Sequence, residues 1–263
     1  MPTEMQRLEQ KIADRLRMLE ECVFALRAPI NGWRTKVVDA YLNGGIPEPD
    51  ETWESITPGY IWMPDVEARW FAAIAEVPSG WQGGPLIARL RFGGEAQVFV
   101  NEEVRGSVSQ AYPPVPMRDE VTLAEQARSG DCSELAVEAT LRRCWSPVVV
   151  EPQTFELAEL AVGDPEVQDL AYWLRVCLSA ARALPEGGTE RLRLVRLLDD
   201  VVVSLDMQRV SERAFKDSVQ RASAALREGL PNLARAGSLA VLTLAGVSHL
   251  DTAWLWTLSE TKR

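Results

Sequence analysis

The sequence predicts an α+β chain built in several parts. Three observations carry this. Apolar residues recur every three or four positions over 4–27 and again over 165–230, which is the period of a helix. Between them, over 68–160, short runs alternate apolar with polar residues and are punctuated by glycine and proline, as half-buried strands are. Near the end, residues 238–246 form a short, nearly all-apolar run that suits a strand buried on both faces, as in a parallel sheet.

The amino-terminal stripe is Leu8, Ile12, Leu16, Leu19, Val23 and Leu26, with Arg15, Arg17, Glu20 and Glu21 off it. Ala28-Pro29 and Asn31-Gly32 end the helix. Residues 40–66 are linker-like, rich in glycine and proline. Trp53, Tyr60 and Trp62 are anchors that lay the segment along a surface. We place this helix and linker in residues 1–66.

The β region, 67–162, begins with Trp70, Ala72, Ile74 and Ala75. Gly80 and Gly83-Gly84 form a turn cluster. Leu86, Ala88, Leu90 and Phe92 then share one face, with Arg89 and Arg91 on the other. Gly93-Gly94 turns the chain into Ala96, Val98 and Val100. Leu135 to Ala139 is a further strand. Several short strands at this spacing predict a β-sandwich. Pro113-Pro114-x-Pro116 marks a stiff loop.

A helical connector follows, 163–236. Asp164 is a candidate N-cap with Pro165 in the first turn. Leu170, Trp173, Leu174, Cys177, Leu178 and Ala181 form one buried face. Leu192, Val195, Leu198, Val202 and Leu205 form the next. Ser211 and Glu212 open a third helix with Phe215, Val219, Ala222 and Leu226, and Gly229 with Pro231 stops it. Residues 237–263 begin an α/β region.

The composition bounds the function. The chain has 263 residues, 46% hydrophobic and 25% charged, which excludes disordered, collagen-like and disulfide-scaffold classes. Its net charge of −10 repels phosphate backbones, so no nucleic acid is expected as a partner. No apolar run reaches the ~18–20 residues of a spanning helix, so no membrane is expected. The first residues lack the basic-then-apolar plan of a signal peptide, which makes the cytoplasm the expected place. The four cysteines, at 22, 132, 144 and 177, have no metal or redox spacing. Cys22 and Cys177 fall on apolar helical faces, as buried thiols do. His249 is the one histidine, so any Ser/His/Asp triad must use it.

His249-x-Asp251 directly follows the apolar run, where α/β folds gather ligands at strand ends. In extended backbone the two side chains point the same way, and an imidazole with a carboxylate suits zinc. The alternative is an exposed histidine, with Asp251 capping a helix from Thr252.

The run Ala245 to Trp256 resembles the zinc-binding motif of the class II α-mannosidases, glycoside hydrolase family 38. There a strand ends in His-x-Asp, then a small pair and Trp, matched here by His249, Asp251, Thr252, Ala253 and Trp254. Ser259 to Arg263 is similar to that motif's continuation. Trp70-Phe71 with Val77-Pro78, and Gly94 to Asn101, resemble the family's β-sandwich; Phe155 to Ala158 with Asp164-Pro165-Glu166 resemble its connector. Val247, Thr257 and Asn101-Glu102-Glu103 depart from the pattern.

The resemblance implies a jelly-roll-like sandwich followed by the first strand of an α/β-barrel catalytic domain. It implies one zinc ion held by His249 and Asp251, with Trp254 stacking on mannose. It implies retaining hydrolysis of terminal α-linked mannose in an oligosaccharide substrate. The nucleophile, the acid/base residue and the other zinc ligands would lie beyond residue 263, so this chain alone is expected to be inactive. Two other readings stand beside this one. The sandwich could be a carbohydrate-binding module with Trp81 or Tyr112 as its platform. The helices could form an assembly module, homo-oligomers included.

Overall fold

The computed structural model describes residues 3–37, 45–63, 69–109, 117–140, 152–208, 210, 213–234 and 246. The chain is α+β, with four helices and fourteen strands among the described residues. It divides into two compact units: a helical one formed by residues up to Ala25 and from Asp164, and a β one from Leu26 to Gly163.

In the helical unit, α1 spans Glu4–Glu21. Thr3 caps it with a capping box: its side chain accepts from the Gln6 N–H, and the Gln6 side chain accepts from the Thr3 N–H. Ile12, Leu16 and Leu19 are buried, as the stripe predicts. The helix ends sooner than predicted. Cys22 is its C-cap, and Phe24–Pro29 is strand β1. Val23 and Leu26 continue the spacing by coincidence; Leu26 is 38% exposed.

The next helices are α2 (Pro165–Ala183), α3 (Thr189–Val203) and α4 (Arg213–Ala234). Asp164 caps α2 as predicted, its carboxylate accepting from the Glu166 and Val167 N–H groups. Helix α1 packs on α2 and α3, and α2, α3 and α4 pack on one another. The predicted faces are buried at Leu170, Leu174, Cys177, Leu178, Val195, Leu198, Phe215 and Val219. Trp173 is a correction: it is 42% exposed. Helix α4 is another, because it runs through Gly229 and Pro231. A β-carbon on Gly229 would lie 2.5 Å from Leu197 Cδ1, so this glycine lets α4 approach α3 closely. It packs the helix rather than stopping it.

In the β unit, two antiparallel sheets face each other. One has six strands: β3 (Glu54–Ser55), β2 (Arg34–Val37), β5 (Arg69–Glu76), β12 (Cys132–Thr140), β8 (Glu95–Val100) and β9 (Glu103–Ser109), in that order. The other has four: β1, β14 (Leu157–Gly163), β7 (Leu86–Arg91) and β10 (Glu120–Ala124). Two short pairs complete it, β6 (Gln82–Gly83) with β11 (Ala127–Arg128), and β4 (Ile61–Trp62) with β13 (Gln153–Thr154).

The predicted alternation holds. Leu86, Ala88, Leu90 and Phe92, with Ala96, Val98 and Val100, are all buried in the core between the sheets. At its centre Phe92 stacks on Phe155 at 4.9 Å, and Trp33 meets both edge-on. Trp62 donates its indole N–H to the Phe92 carbonyl, 2.8 Å away. Strand β5 is buried on both faces over part of its length. Phe71, Ala73 and Ala75 enter the core, while Trp70 and Ala72 join Trp53 and Phe99 in a second cluster. Ile74, grouped with Trp70 in sequence, is 63% exposed.

Gly93-Gly94 does more than turn the chain. A β-carbon on Gly94 would meet the Thr140 carbonyl oxygen at 2.0 Å, and Gly93 sits against Thr154 with φ +93°. Gly94→Ala is expected to cost about 3 kcal/mol, the upper end for overpacking, read as a lower urea midpoint.

The β8–β9 turn keeps its two-residue form despite lacking Asn-Gly. Val100 pairs with Glu103, so Asn101 and Glu102 alone make the turn. Their φ angles are 50° and 68°, the handedness that matches the strands' twist. Asn101 is fastened to Glu134 by two bonds of 2.9 Å: its N–H donates to the Glu134 carbonyl, and its side-chain oxygen accepts from the Glu134 N–H. Glu102 carries a β-carbon where glycine fits best. Glu102→Gly is expected to stabilise the chain by about 1 kcal/mol, raising Tm by ~2–4 °C.

The strand expected at 238–246, and the α/β barrel it would open, lie outside the described residues apart from Gly246. Ser211, Glu212, Cys144 and the Pro113-Pro114-x-Pro116 loop also lie outside them.

Candidate functional site

The chemistry expected from the sequence lies at His249, Asp251 and Trp254. All three lie outside the described residues. Among the described residues, no group of three His, Cys, Asp or Glu side chains is placed to hold a metal ion. Zinc at His249 and Asp251 remains a proposal on their spacing.

The sugar-platform residues fare differently. Trp81 is only partly exposed and packs against the sandwich core. Its ring is partly taken up by the fold. Tyr112 lies outside the described residues.

On the outer side of the four-stranded sheet, arginines and carboxylates make a ladder. Arg89 pairs with Glu159, its cross-strand neighbour. Arg91 bonds Asp119 at 2.8 Å, and Arg89 reaches the same carboxylate at 3.9 Å. The alternation that aims Leu86, Ala88 and Leu90 inward necessarily aims Arg89 and Arg91 outward. Both carboxylates are thus engaged by guanidinium groups.

A second polar cluster lies at Tyr60. Its hydroxyl donates to Glu54 Oε2 at 2.8 Å and accepts from Arg69 at 3.1 Å. Burial, then the bond to Glu54, raises the phenol above its ordinary pKa, so it stays a neutral donor. Asp50, apart from this cluster, is held below its ordinary value by the Thr52 hydroxyl and backbone N–H. Burial raises the Cys177 thiol, which keeps it protonated and unreactive.

The helical unit has a cleft of about 380 Å³ between α2 and α4. Leu170 and Leu226 line it from buried positions, with Leu230 and Pro231 at one end and Trp173 as a wall. Two polar bridges tie the helices together beside it. Gln220 donates to Glu166 at 3.1 and 3.2 Å, and Arg227 pairs with Asp169 at 2.9 Å. This arrangement can receive an apolar group. The sequence does not reveal it, because spacing predicts Trp173 on the buried stripe and Pro231 at the end of its helix. The adjacent Tyr172-Trp173 pair was the available signal, making the apolar arc wider than one packed face needs.

No protein-family model matches this chain, and no curated protein matches it. Solved structures share a slight likeness. A Bacteroides uniformis β-glucuronidase has TM-score 0.41 and 17% identity, covering 52% of this chain and 17% of its own. A β-glucuronidase from an uncultured Clostridium has TM-score 0.40 and 16% identity, covering 52% and 29%. A glycoside hydrolase family 2 member from Bacteroides cellulosilyticus has TM-score 0.37 and 12% identity, covering 52% and 20%.

These neighbours are β-glucuronidases and a family 2 relative, and the family 38 expectation is corrected accordingly. With it go the α-mannosidase activity and the hydrolysis of terminal α-linked mannose. The reason is physical: the resemblance joined a dozen residues around His249 to short matches in the sandwich and the connector, and short local matches do not determine a fold. The likeness is equally too slight to bring glucuronidase activity to this chain. The chain spans less than a third of each of these structures.

Proposed function

We propose that the β unit is a non-catalytic structural domain of a glycoside hydrolase. The observation that carries the first half is the use made of its side chains. The inward residues of both sheets are spent on one packed core, and the outward carboxylates Asp119 and Glu159 are spent on arginines. The glycoside-hydrolase half takes its direction from the neighbours' own descriptions, and experiment decides it. In this reading catalysis is left to the α/β domain that the sequence predicts from residue 237. The cytoplasm is kept as its place. Among the described residues no helix is long and apolar enough to cross a membrane.

The test uses the glycosidase activity of the polypeptide that bears this sandwich, as wild type, Asp119→Asn and Glu159→Gln. Both variants are expected to lower the melting temperature and to leave kcat within about twofold per folded molecule. A fall in kcat of a hundredfold or more, with the fold intact, would place a catalytic carboxylate in the sandwich and overturn the reading.

A further inference from the structure

Residues 30–33 carry the chain from β1 in the four-stranded sheet to β2 in the six-stranded one. Both ends of this crossing are fixed. Ile30 is buried, and its N–H donates to the Ala158 carbonyl at 3.0 Å. Trp33 is buried, and its carbonyl accepts from the Ile56 N–H at 2.9 Å. Between them Asn31 and Gly32 are exposed. An Asn-Gly pair therefore sits in water while the residue on either side anchors the core.

The pair is open to reaction within itself. Gly32 has φ +74°, and nothing lies within 4 Å of where a β-carbon would stand. Its backbone nitrogen is unshielded. Among the described residues, neither the Gly32 N–H nor the Asn31 side-chain amide has a hydrogen-bond partner. The other described asparagines differ on each count. Asn101 is followed by Glu102, and its side-chain oxygen accepts from the Glu134 N–H. Asn232 is followed by Leu233, and its side-chain nitrogen donates to the Glu228 carbonyl at 3.1 Å within α4.

We propose that Asn31 is a deamidation site of the folded chain, and that its isoaspartyl product strains the sandwich core. The Gly32 nitrogen attacks the side-chain carbonyl carbon of Asn31. The two groups are adjacent in the chain, so no encounter is needed. The new N–C bond forms, the bond from that carbon to Nδ2 breaks, and Nδ2 leaves as ammonia with the Gly32 proton. Water then opens the cyclic imide at either carbonyl. One opening gives aspartate, which adds only an exposed charge. The other gives isoaspartate, whose main chain is one carbon longer. That carbon must fit between Ile30 and Trp33, and a close-packed core does not absorb it. The proposal does not rest on the glycosidase reading.

The experiment uses the full chain carrying Asn43→Gln, which removes the other Asn-Gly pair. The folded protein is aged in mildly alkaline buffer and digested with trypsin. Mass spectrometry follows the peptide Ala28–Arg34 beside the peptides that hold Asn101 and Asn232. Asn31 is expected to convert at least about tenfold faster than either, the factor one retained hydrogen bond is worth. Aged, deamidated chain is expected to melt at least about 3 °C below the unaged Asn31→Asp variant, which has the same charge on a backbone of ordinary length. An Asn31 that stays intact in the folded chain overturns the proposal. So does conversion no faster than at Asn101 and Asn232, or a deamidated chain that melts with the Asn31→Asp variant.

Discussion

Phe92→Ala is expected to lower the stability of the β unit by about 3–5 kcal/mol, the range for removing a buried aromatic. The sequence reason comes first. Phe92 is the fourth inward member of the alternation through Leu86, Ala88 and Leu90, and it lies between strand β7 and the Gly93-Gly94 turn. The packing reason follows. The ring is 1% exposed and lies 4.6 Å from Phe71, 4.9 Å from Phe155 and 5.3 Å from Trp33. Phe71 comes from β5 of the six-stranded sheet, and Phe155 and Trp33 come from segments between strands. Removing the ring takes one contact from each and leaves a cavity that glycine-tight backbone at 93–94 does not let collapse. Phe92→Leu retains most of the volume and is expected to cost less. Urea unfolding followed by tryptophan fluorescence reads both, since Trp33 and Trp62 report from the same core. A loss below about 1 kcal/mol for Phe92→Ala would mean that this core is not packed as described.

Glu9→Ala is expected to cost the helical unit a comparable amount, about 3–5 kcal/mol, for a different reason. Glu9 sits in α1 with its side chain 8% exposed, and Arg191 of α3 is 11% exposed. Two guanidinium nitrogens reach the same carboxylate oxygen, at 2.9 and 2.7 Å. A third nitrogen donates to the Leu184 carbonyl at 3.2 Å, and Arg182 approaches Glu9 at 3.9 Å. Removing the carboxylate strands a buried guanidinium. Removing both charges does not. Glu9→Leu with Arg191→Met is therefore expected to lie within about 1 kcal/mol of wild type, because paired burial costs desolvation that apolar side chains avoid. Thermal unfolding of the three proteins checks this. If the double variant were as unstable as Glu9→Ala, the pair would be worth its full Coulomb attraction and this ordering would be wrong.

Much of the fold was legible because it depends on local period. The inward sets on β7 and β8, the Asp164 cap and the buried faces of α2 and α3 all follow from spacing or from one capping residue. What was missed depends on partners far away in the chain. The end of α1 is set by β1 joining a sheet whose next strand is β14, more than 120 residues later. Gly229 reads as a breaker until Leu197 is placed against it. Glu9 and Arg191 are 182 residues apart, and no local pattern links them. The α2–α4 cleft is likewise made by two helices whose faces were read separately. The proposed zinc ligands follow a run that lies almost wholly outside the described residues, so the structure places neither of them. The family expectation failed because it was carried by short motifs spaced along the chain, of which the one around His249 was the most specific.

The most direct measurement is capture of the polypeptide bearing this sandwich from its source cells, with an antibody to the β unit, followed by assay against a panel of aryl glycosides. The account predicts that hydrolysis of at least one glycoside co-purifies with the captured chain, and persists in chains carrying Asp119→Asn or Glu159→Gln. Captured chain that hydrolyses no member of the panel would contradict it.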